Sequence, residues 1–191
     1  MKHMAVQCSV FCAVSLDGFI ARKDGTLDWL MGSDPNASGP PPDSGYDTFI
    51  SSVDYIVLGR NTFDVLLKMI TDKWFYPKPV YVLTHHPPTE LPELVKGKVE
   101  FGSHSPAELV TLMEKRGARR LYIDGGKTIQ EFLRAGLIDE LRIGQIPVLI
   151  GEGIPLFGSI AKDIKLKIVS SRVFASGGAI QTTYQVIKSG T

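Results

Sequence analysis

Little in this sequence marks a membrane, an oxidising compartment or a polyanionic partner. Its 191 residues include two cysteines, four histidines and two tryptophans, and no apolar run approaches the ~20 residues of a bilayer-spanning helix. Met1-Lys2-His3-Met4 is not followed by an unbroken apolar segment with a cleavage site, so no signal peptide is expected and the cytoplasm is the expected location. Lysine and arginine number 21 against 20 acidic residues, a net charge of +1, which leaves no electrostatic footprint for nucleic acid or an anionic membrane. The histidines His3, His85, His86 and His104 lack ligand spacing, so no metal is expected. Cys8 and Cys12 lie on one face of one predicted strand, roughly 13 Å apart, which excludes a mutual disulfide or a shared metal and makes both small core residues.

Two familiar nucleotide signatures are also missing. Gly126-Lys127-Thr128 resembles the end of a triphosphate-binding loop, but Leu121 stands where that loop needs its first glycine. Gly151-Glu152-Gly153 begins like a dinucleotide fingerprint, yet Leu156 occupies the position of the third glycine. A phosphotransferase is thereby disfavoured.

What is present is a repeated arrangement of strand, glycine and helix. Leu121 to Ile123 reads as a buried strand, Gly125 and Gly126 as a turn, and Ile129, Phe132 and Leu133 as the apolar face of a helix. The glycines allow close backbone approach, and the helix start offers unpaired N–H groups and a positive dipole end, which together suit a phosphate. Leu58-Gly59-Arg60-Asn61-Thr62 repeats the design upstream.

The remaining pattern predicts an α/β fold. Expected strands are Gln7 to Val14, Asp54 to Leu58, Pro79 to Thr84, Lys98 to Phe101, Glu140 to Ile150, Lys165 to Phe174 and Ala179 to Ile187. Ser44 to Asp47 reads as a capping box for a helix through Ser51, and Asn61 as the cap of a helix with Phe63, Leu66, Leu67 and Ile70 on one face. Ser105-Pro106-Ala107-Glu108 starts a further helix, and Gly136 closes the one that follows the double glycine. Asp34 to Asp43 is loop, and Ser176-Gly177-Gly178 turns the last two strands into an antiparallel hairpin. The expectation is one domain over residues 1–191, three-layered, with a mostly parallel sheet, helices on both faces and the hairpin at one edge. Segments 59–62, 84–86, 103–105 and 124–128 then share the carboxyl edge of the sheet, where ligands bind.

Four segments, Val14 to Ala21, Val57 to Phe63, Tyr122 to Thr128 and Pro147 to Phe157, run in an order that resembles the dihydrofolate reductase superfamily. The resemblance is closest to the reductase domain of the bifunctional riboflavin-biosynthesis deaminase/reductase and its stand-alone bacterial relatives. It implies an NADPH-dependent reductase, usually a homodimer, acting on a small heterocyclic or carbonyl substrate such as 5-amino-6-(5-phosphoribosylamino)uracil. Dihydrofolate reduction and non-catalytic NADPH binding are the alternatives. On this resemblance Gly59, Arg60, Asn61 and Thr62 bind cofactor, with Arg60 on the 2′-phosphate and Thr62 on the pyrophosphate. Thr84 and His85 flank the adenosine phosphate, and Gly125, Gly126, Lys127, Thr128 and Ile129 hold the pyrophosphate from the other side. Asp17 is the candidate acid or substrate ligand, competing with a purely local turn role. Ser15, Trp29, Phe49, Gly151, Glu152 and Gly153 would border the substrate. Folate reductases carry a pterin-binding carboxylate on the helix where this chain has Gly45 or Tyr46, and the zinc deaminase signature H-x-E…P-C-x-x-C is absent.

Overall fold

In the computed structural model, residues 5–31, 44–174 and 178–188 are described. The loop expected at 34–43 and the turn residues Ser176 and Gly177 lie outside them. Strands β1 (Gln7–Ser15), β3 (Tyr55–Gly59), β4 (Val80–Leu83), β5 (Val99–Gly102), β6 (Arg120–Asp124), β7 (Ile138–Ile146), β9 (Leu166–Val173) and β10 (Ile180–Val186) form one sheet in the order β5-β4-β3-β6-β1-β7-β10-β9. The first six are parallel, and β10 and β9 add an antiparallel edge.

Alternation along the central strands shows why the sheet is covered twice. Val57, Leu121 and Ile123 pack on one side with Leu109 and Met113 of α3 (Pro106–Lys115) and Ile129, Phe132 and Leu133 of α4 (Gly126–Arg134). Ile56, Leu58 and Tyr122 pack on the other with Phe49 and Ile50 of α1 (Tyr46–Ser51) and Phe63 of α2 (Arg60–Met69). Period two in the strands meets period 3.6 in the helices, so both faces are dry. Cys8 and Cys12 both face the α3/α4 side as free thiols, and burial pushes the Cys8 thiol up to about 12.

Helix ends follow the expected chemistry with two corrections. Ser105 and Glu108 form the reciprocal capping box of α3. Gly136 closes α4: its N–H reaches the Leu133 carbonyl and that of Leu137 reaches Phe132, each at 3.0 Å. At α1, however, the cap is Gly45 at φ 74° rather than a Ser44 capping box, and Ser44 Oγ instead accepts the Tyr46 N–H at 3.4 Å. At α2 the helix already begins at Arg60, so Gly59 is the cap and Asn61 is the second helical residue. The strand expected through Ile150 ends at Ile146. Two short strands missed by periodicity, β2 (Phe19–Ala21) and β8 (Ile154–Pro155), pair beyond the carboxyl edge, being too short to show alternation.

Candidate functional site

The exits of β5, β4, β3 and β6 are linked side by side. Ser103 Oγ lies 2.7 Å from His85 Nδ1, joining the β5 and β4 exits. Arg60, at the start of α2, donates from Nη1 to the His86 carbonyl and from Nε to Asp64 at 2.8 Å. Thr84 Oγ1 accepts the His86 N–H at 3.0 Å, so this hydroxyl shapes the loop. The expected convergence at the carboxyl edge is therefore present.

Between β3 and β6 the chain leaves the sheet in opposite directions, α2 to one face and α4 to the other. That divergence opens a crevice of the kind in which α/β sheets hold ligands. Gly59 and Gly125 are the two N-caps, and no side chain caps either helix. Each glycine faces the third residue of the opposite helix: a Cβ on Gly59 would lie 2.9 Å from Thr128 Oγ1, and one on Gly125 only 2.3 Å from Thr62 Oγ1. Gly125 also holds φ at +86°, a conformation unfavourable for any side chain.

These contacts correct part of the sequence reading. Gly125 and Gly126 do not leave their faces open to a ligand, because the protein fills them. Both are buried, and a Cβ on Gly126 would meet Ile20 Cδ1 and the Pro155 carbonyl at 3.0 Å. Ile129 faces the core at 0 % exposure, and Thr128 is buried against Gly59, so their side chains pack rather than reach outward. Asn61 and Lys127, each second in its helix, remain exposed. Their amides belong to the first turn, whose N–H groups lack intrahelical partners, and two positive dipole ends meet beside Arg60 and Lys127. This donor set fits a pyrophosphate with an additional phosphate nearby.

Asp124, at the carboxyl end of β6, was not singled out in the sequence. Its Oδ1 accepts the Gly125 N–H at 2.8 Å and its Oδ2 accepts the Tyr76 hydroxyl. Burial pushes its carboxyl above the ordinary range, although the Tyr76 and Gly125 hydrogen bonds pull the other way. Burial first, and then the charges of Asp124 and Asp47, push the Tyr46 hydroxyl up to about 12. A half-buried carboxyl surrounded by tyrosines thus stands next to the anion seat. The sequence signal was an acidic residue ending an otherwise apolar strand. Tyr76, from the α2–β4 connection, gave no local signal at all.

At the β1 exit, Asp17 does something different. Its carboxylate accepts the Ser15 hydroxyl at 2.5 Å, the Gly151 N–H at 2.7 Å and the Ile150 N–H at 3.1 Å. These bonds, that of Ser15 foremost, hold its carboxyl below the ordinary value of 3.8. Such a group is a poor proton donor near neutral pH and a good anchor for the 147–153 loop. Lys23 ties the same loop from outside through Glu152 at 2.5 Å, and Gly153 fits under the Ala21 carbonyl, 2.3 Å from where its Cβ would stand.

The RibD C-terminal domain model matches residues 7–180. YwjB of Bacillus subtilis (strain 168) is 34% identical over 176 residues, spanning 92% of this chain and 95% of that protein. A solved structure from Shewanella sp. PV-4, named for riboflavin biosynthesis, is 39% identical with a TM-score of 0.85, covering 96% of this chain and all of the other. The chain belongs to the RibD C-terminal domain family. This is an oxidoreductase family. Its fold extends to the Thermotoga maritima deaminase/reductase, with a TM-score of 0.73 at 13% identity over 96% of this chain and 57% of that one. An Enterococcus faecalis dihydrofolate reductase complexed with NADP(H) shares the fold at 19% identity, with a TM-score of 0.62 over 97% of this chain and 98% of that one.

Within this RibD-type frame, three residues expected to line the substrate pocket belong to the interior. Ser15 is fully buried, its Oγ also accepting the Phe19 N–H at 3.0 Å. Phe49 is 1 % exposed, with the rings of Phe11 and Tyr122 each 5.1 Å away and the guanidiniums of Arg120 and Arg142 over its faces. Trp29 packs with Ile146, Phe174 and Ala179, and its buried indole N–H finds no acceptor among the described residues. An apolar residue beside a motif is more economically a core residue, and here that reading holds. Among the described residues no helix is long and apolar enough to cross a membrane.

Proposed function

We propose that this protein is a cytoplasmic, homodimeric NADPH-dependent reductase acting on a small heterocyclic or carbonyl compound, with 5-amino-6-(5-phosphoribosylamino)uracil the leading candidate. The observation that carries this reading is the crevice between β3 and β6, where two uncapped helix N-termini meet. NADPH, when bound, supplies a hydride. The first turns of α2 and α4 receive its pyrophosphate, and the exposed Asn61 and Lys127 mark the open side of that seat. Arg60 has five N–H donors, of which two are committed to Asp64 and His86, so it retains donors for the 2′-phosphate. Thr84 and His85 border the adenosine end.

Asp124 serves the acceptor. Because burial favours its protonated form, it keeps a proton to higher pH than an exposed carboxyl and can pass it to an acceptor atom as hydride arrives elsewhere on that molecule. Asp17 positions the 147–153 loop. Against dihydrofolate as substrate stands α1, which turns Tyr46 toward the Asp124 cluster while Asp47 faces solvent.

The test follows NADPH absorbance during a screen of ribosylaminopyrimidines, pterins, quinones and nitroaromatics. Turnover with a ribosylaminopyrimidine is the expected result. Tight NADPH binding without turnover on any acceptor leaves the binding-only reading instead. A kcat/KM for dihydrofolate above about 10⁴ M⁻¹s⁻¹ restores the folate reading.

A further inference from the structure

Proton donation by Asp124 leaves a negative charge on a half-buried carboxyl at the end of β6. A carboxylate taken out of water is costly unless donors already point at it. Two donors are in place. The Gly125 N–H reaches Oδ1 at 2.8 Å and the Tyr76 hydroxyl donates to Oδ2, so both oxygens are tied and the carboxyl plane is fixed. The first donor is the next peptide along the chain, whereas the second comes from 48 residues away, on the α2–β4 connection. Packing sets its aim: the Tyr76 ring stands edge-on to Trp74 at 5.9 Å and to Tyr122 at 6.3 Å. The other groups around Asp124 are engaged differently. Tyr122 donates its hydroxyl to the Phe11 carbonyl at 2.8 Å. Tyr46 of α1 and the Cys12 thiol of β1 are raised by burial first and then by the charge of Asp124, with Asp47 adding to the effect on Tyr46.

We propose that Tyr76 is the positioning residue of the proton transfer, aiming the Asp124 carboxyl and stabilising the charge left when its proton goes to the acceptor. The inference rests on the reading of Asp124 as proton donor and adds the group that makes donation from a half-buried site feasible. In that step the Asp124 O–H bond breaks, the proton bonds to the acceptor atom, and hydride from NADPH completes the two-electron reduction elsewhere on the molecule. The carboxylate then regains a proton from solvent. Tyr76 keeps its own proton throughout, because burial, and after it the charge of Asp124, pushes its hydroxyl well above the ordinary 10. Its hydrogen bond favours the ionised carboxyl against the burial that opposes it, so Asp124 can both hold a proton and release it. Without Tyr76 the Gly125 amide would serve Oδ1 alone and leave Oδ2 bare. Phenylalanine would fill the same space without the hydroxyl, which makes the bond separable from the packing.

Carboxyl carbon NMR of the full chain, labelled at aspartate, reads Asp124 without any substrate, its signal being the one that Asp124→Asn removes. The wild-type midpoint should lie above the ordinary 3.8. Tyr76→Phe should move it further up by roughly 1–2 pH units, as for loss of a hydrogen bond to a charged group. Tyr122→Phe, which removes a hydroxyl from the same cluster but not from Asp124, should move it by less than about half a unit. With an acceptor that turns over, Tyr76→Phe should lower kcat by about 10²-fold with KM within about twofold, and its alkaline limb should shift upward. Should Tyr76→Phe fail to fold, 3-fluorotyrosine in place of tyrosine gives a more acidic donor in the wild-type sequence and should lower the midpoint. A wild-type midpoint at or below 3.8 overturns the donor reading and this inference together. A raised midpoint that neither Tyr76→Phe nor fluorination moves, or that Tyr122→Phe moves as far, overturns the role of Tyr76 alone.

Discussion

The units β3–α2 and β6–α4 are built to one plan and aligned in register, Val57 beside Ile123 and Leu58 beside Asp124. Each strand leads into a capping glycine, Gly59 or Gly125, and both helices have threonine as third residue, Thr62 or Thr128. Each threonine fills the space left by the other unit's glycine. The shared residues thus bring two helix N-termini together, and the differences give the crevice its chemistry. Where buried Leu58 precedes the capping glycine of the β3 unit, Asp124 precedes that of the β6 unit. Where α2 begins with charged Arg60, α4 begins with buried Gly126. One unit therefore supplies the cation and the other the titrating carboxyl.

The harshest way to break this symmetry is at Gly125. Gly125→Val forces a branched side chain to positive φ, worth roughly 1–2 kcal/mol, and drives it into Thr62, worth roughly 1–3 kcal/mol more. Against a typical stability of about 5–15 kcal/mol this is a severe loss, visible as a lowered urea midpoint. Gly59 has ordinary φ, so Gly59→Ala should cost only the second part, and adding Thr62→Ala to Gly125→Val should recover the packing loss but not the strain. Equal stability of Gly125→Val and wild type would show that the crossing is loose.

Replacing the acidic member comes next. Asp124→Asn should lower kcat by about 10²-fold or more if the carboxyl supplies the proton. The same variant has a stability signature. Asp124 binds its proton more tightly in the folded protein than in the unfolded chain, so between the ordinary 3.8 and its raised folded value the native state holds more protons. Stability therefore falls as pH rises through that window. The asparagine variant should lack this decline, and parallel curves for the two proteins would refute the buried-carboxyl assignment.

Arg60→Ala removes the other unit's charge. NADPH affinity should fall roughly 10- to 100-fold, as for loss of a charge-assisted pair of about 1.5–3 kcal/mol, with NADH affinity unchanged. Calorimetric titration with both cofactors measures it. The half-exposed Arg60–Asp64 pair should add less than about 1 kcal/mol to stability, so a folded protein is expected.

Much of this was legible in the sequence because it is periodic or punctuated. Continuous apolar runs gave the central strands, the 3.6-residue period gave α2 and α4, and Ser105-Pro106-Ala107-Glu108 announced its helix start. Contacts between distant segments were not legible. That Thr62 fills the space beside Gly125, or that Tyr76 meets Asp124 across 48 residues, depends on how α2 and the β4 connection fold back. Phe49 and Trp29 misled for a related reason: an aromatic near a motif has the same letter whether it lines a pocket or fills a core. The edge strands were readable as strands, but their exposed face becomes visible only once α4 is seen to stop short of them.

The mildest effect is expected at Asp17, which tests whether a carboxylate near the site need be catalytic. Its hydrogen bonds from Ser15, Ile150 and Gly151 favour the ionised form, so its contribution to stability is present above the ordinary 3.8 and is lost as pH falls through its lower folded value. Asp17→Asn should remove that acid-side dependence. An amide presents one carbonyl oxygen where the carboxylate presents two, so part of the bonding to the 150–151 amides weakens and the 147–153 loop loosens. The expected kinetic result is a raised KM with kcat at neutral pH changed less than about tenfold, because a general acid is worth 10²- to 10⁴-fold and an anchor is not. A fall in kcat of that larger size, with KM unchanged, would return the proton to Asp17 and take it from Asp124.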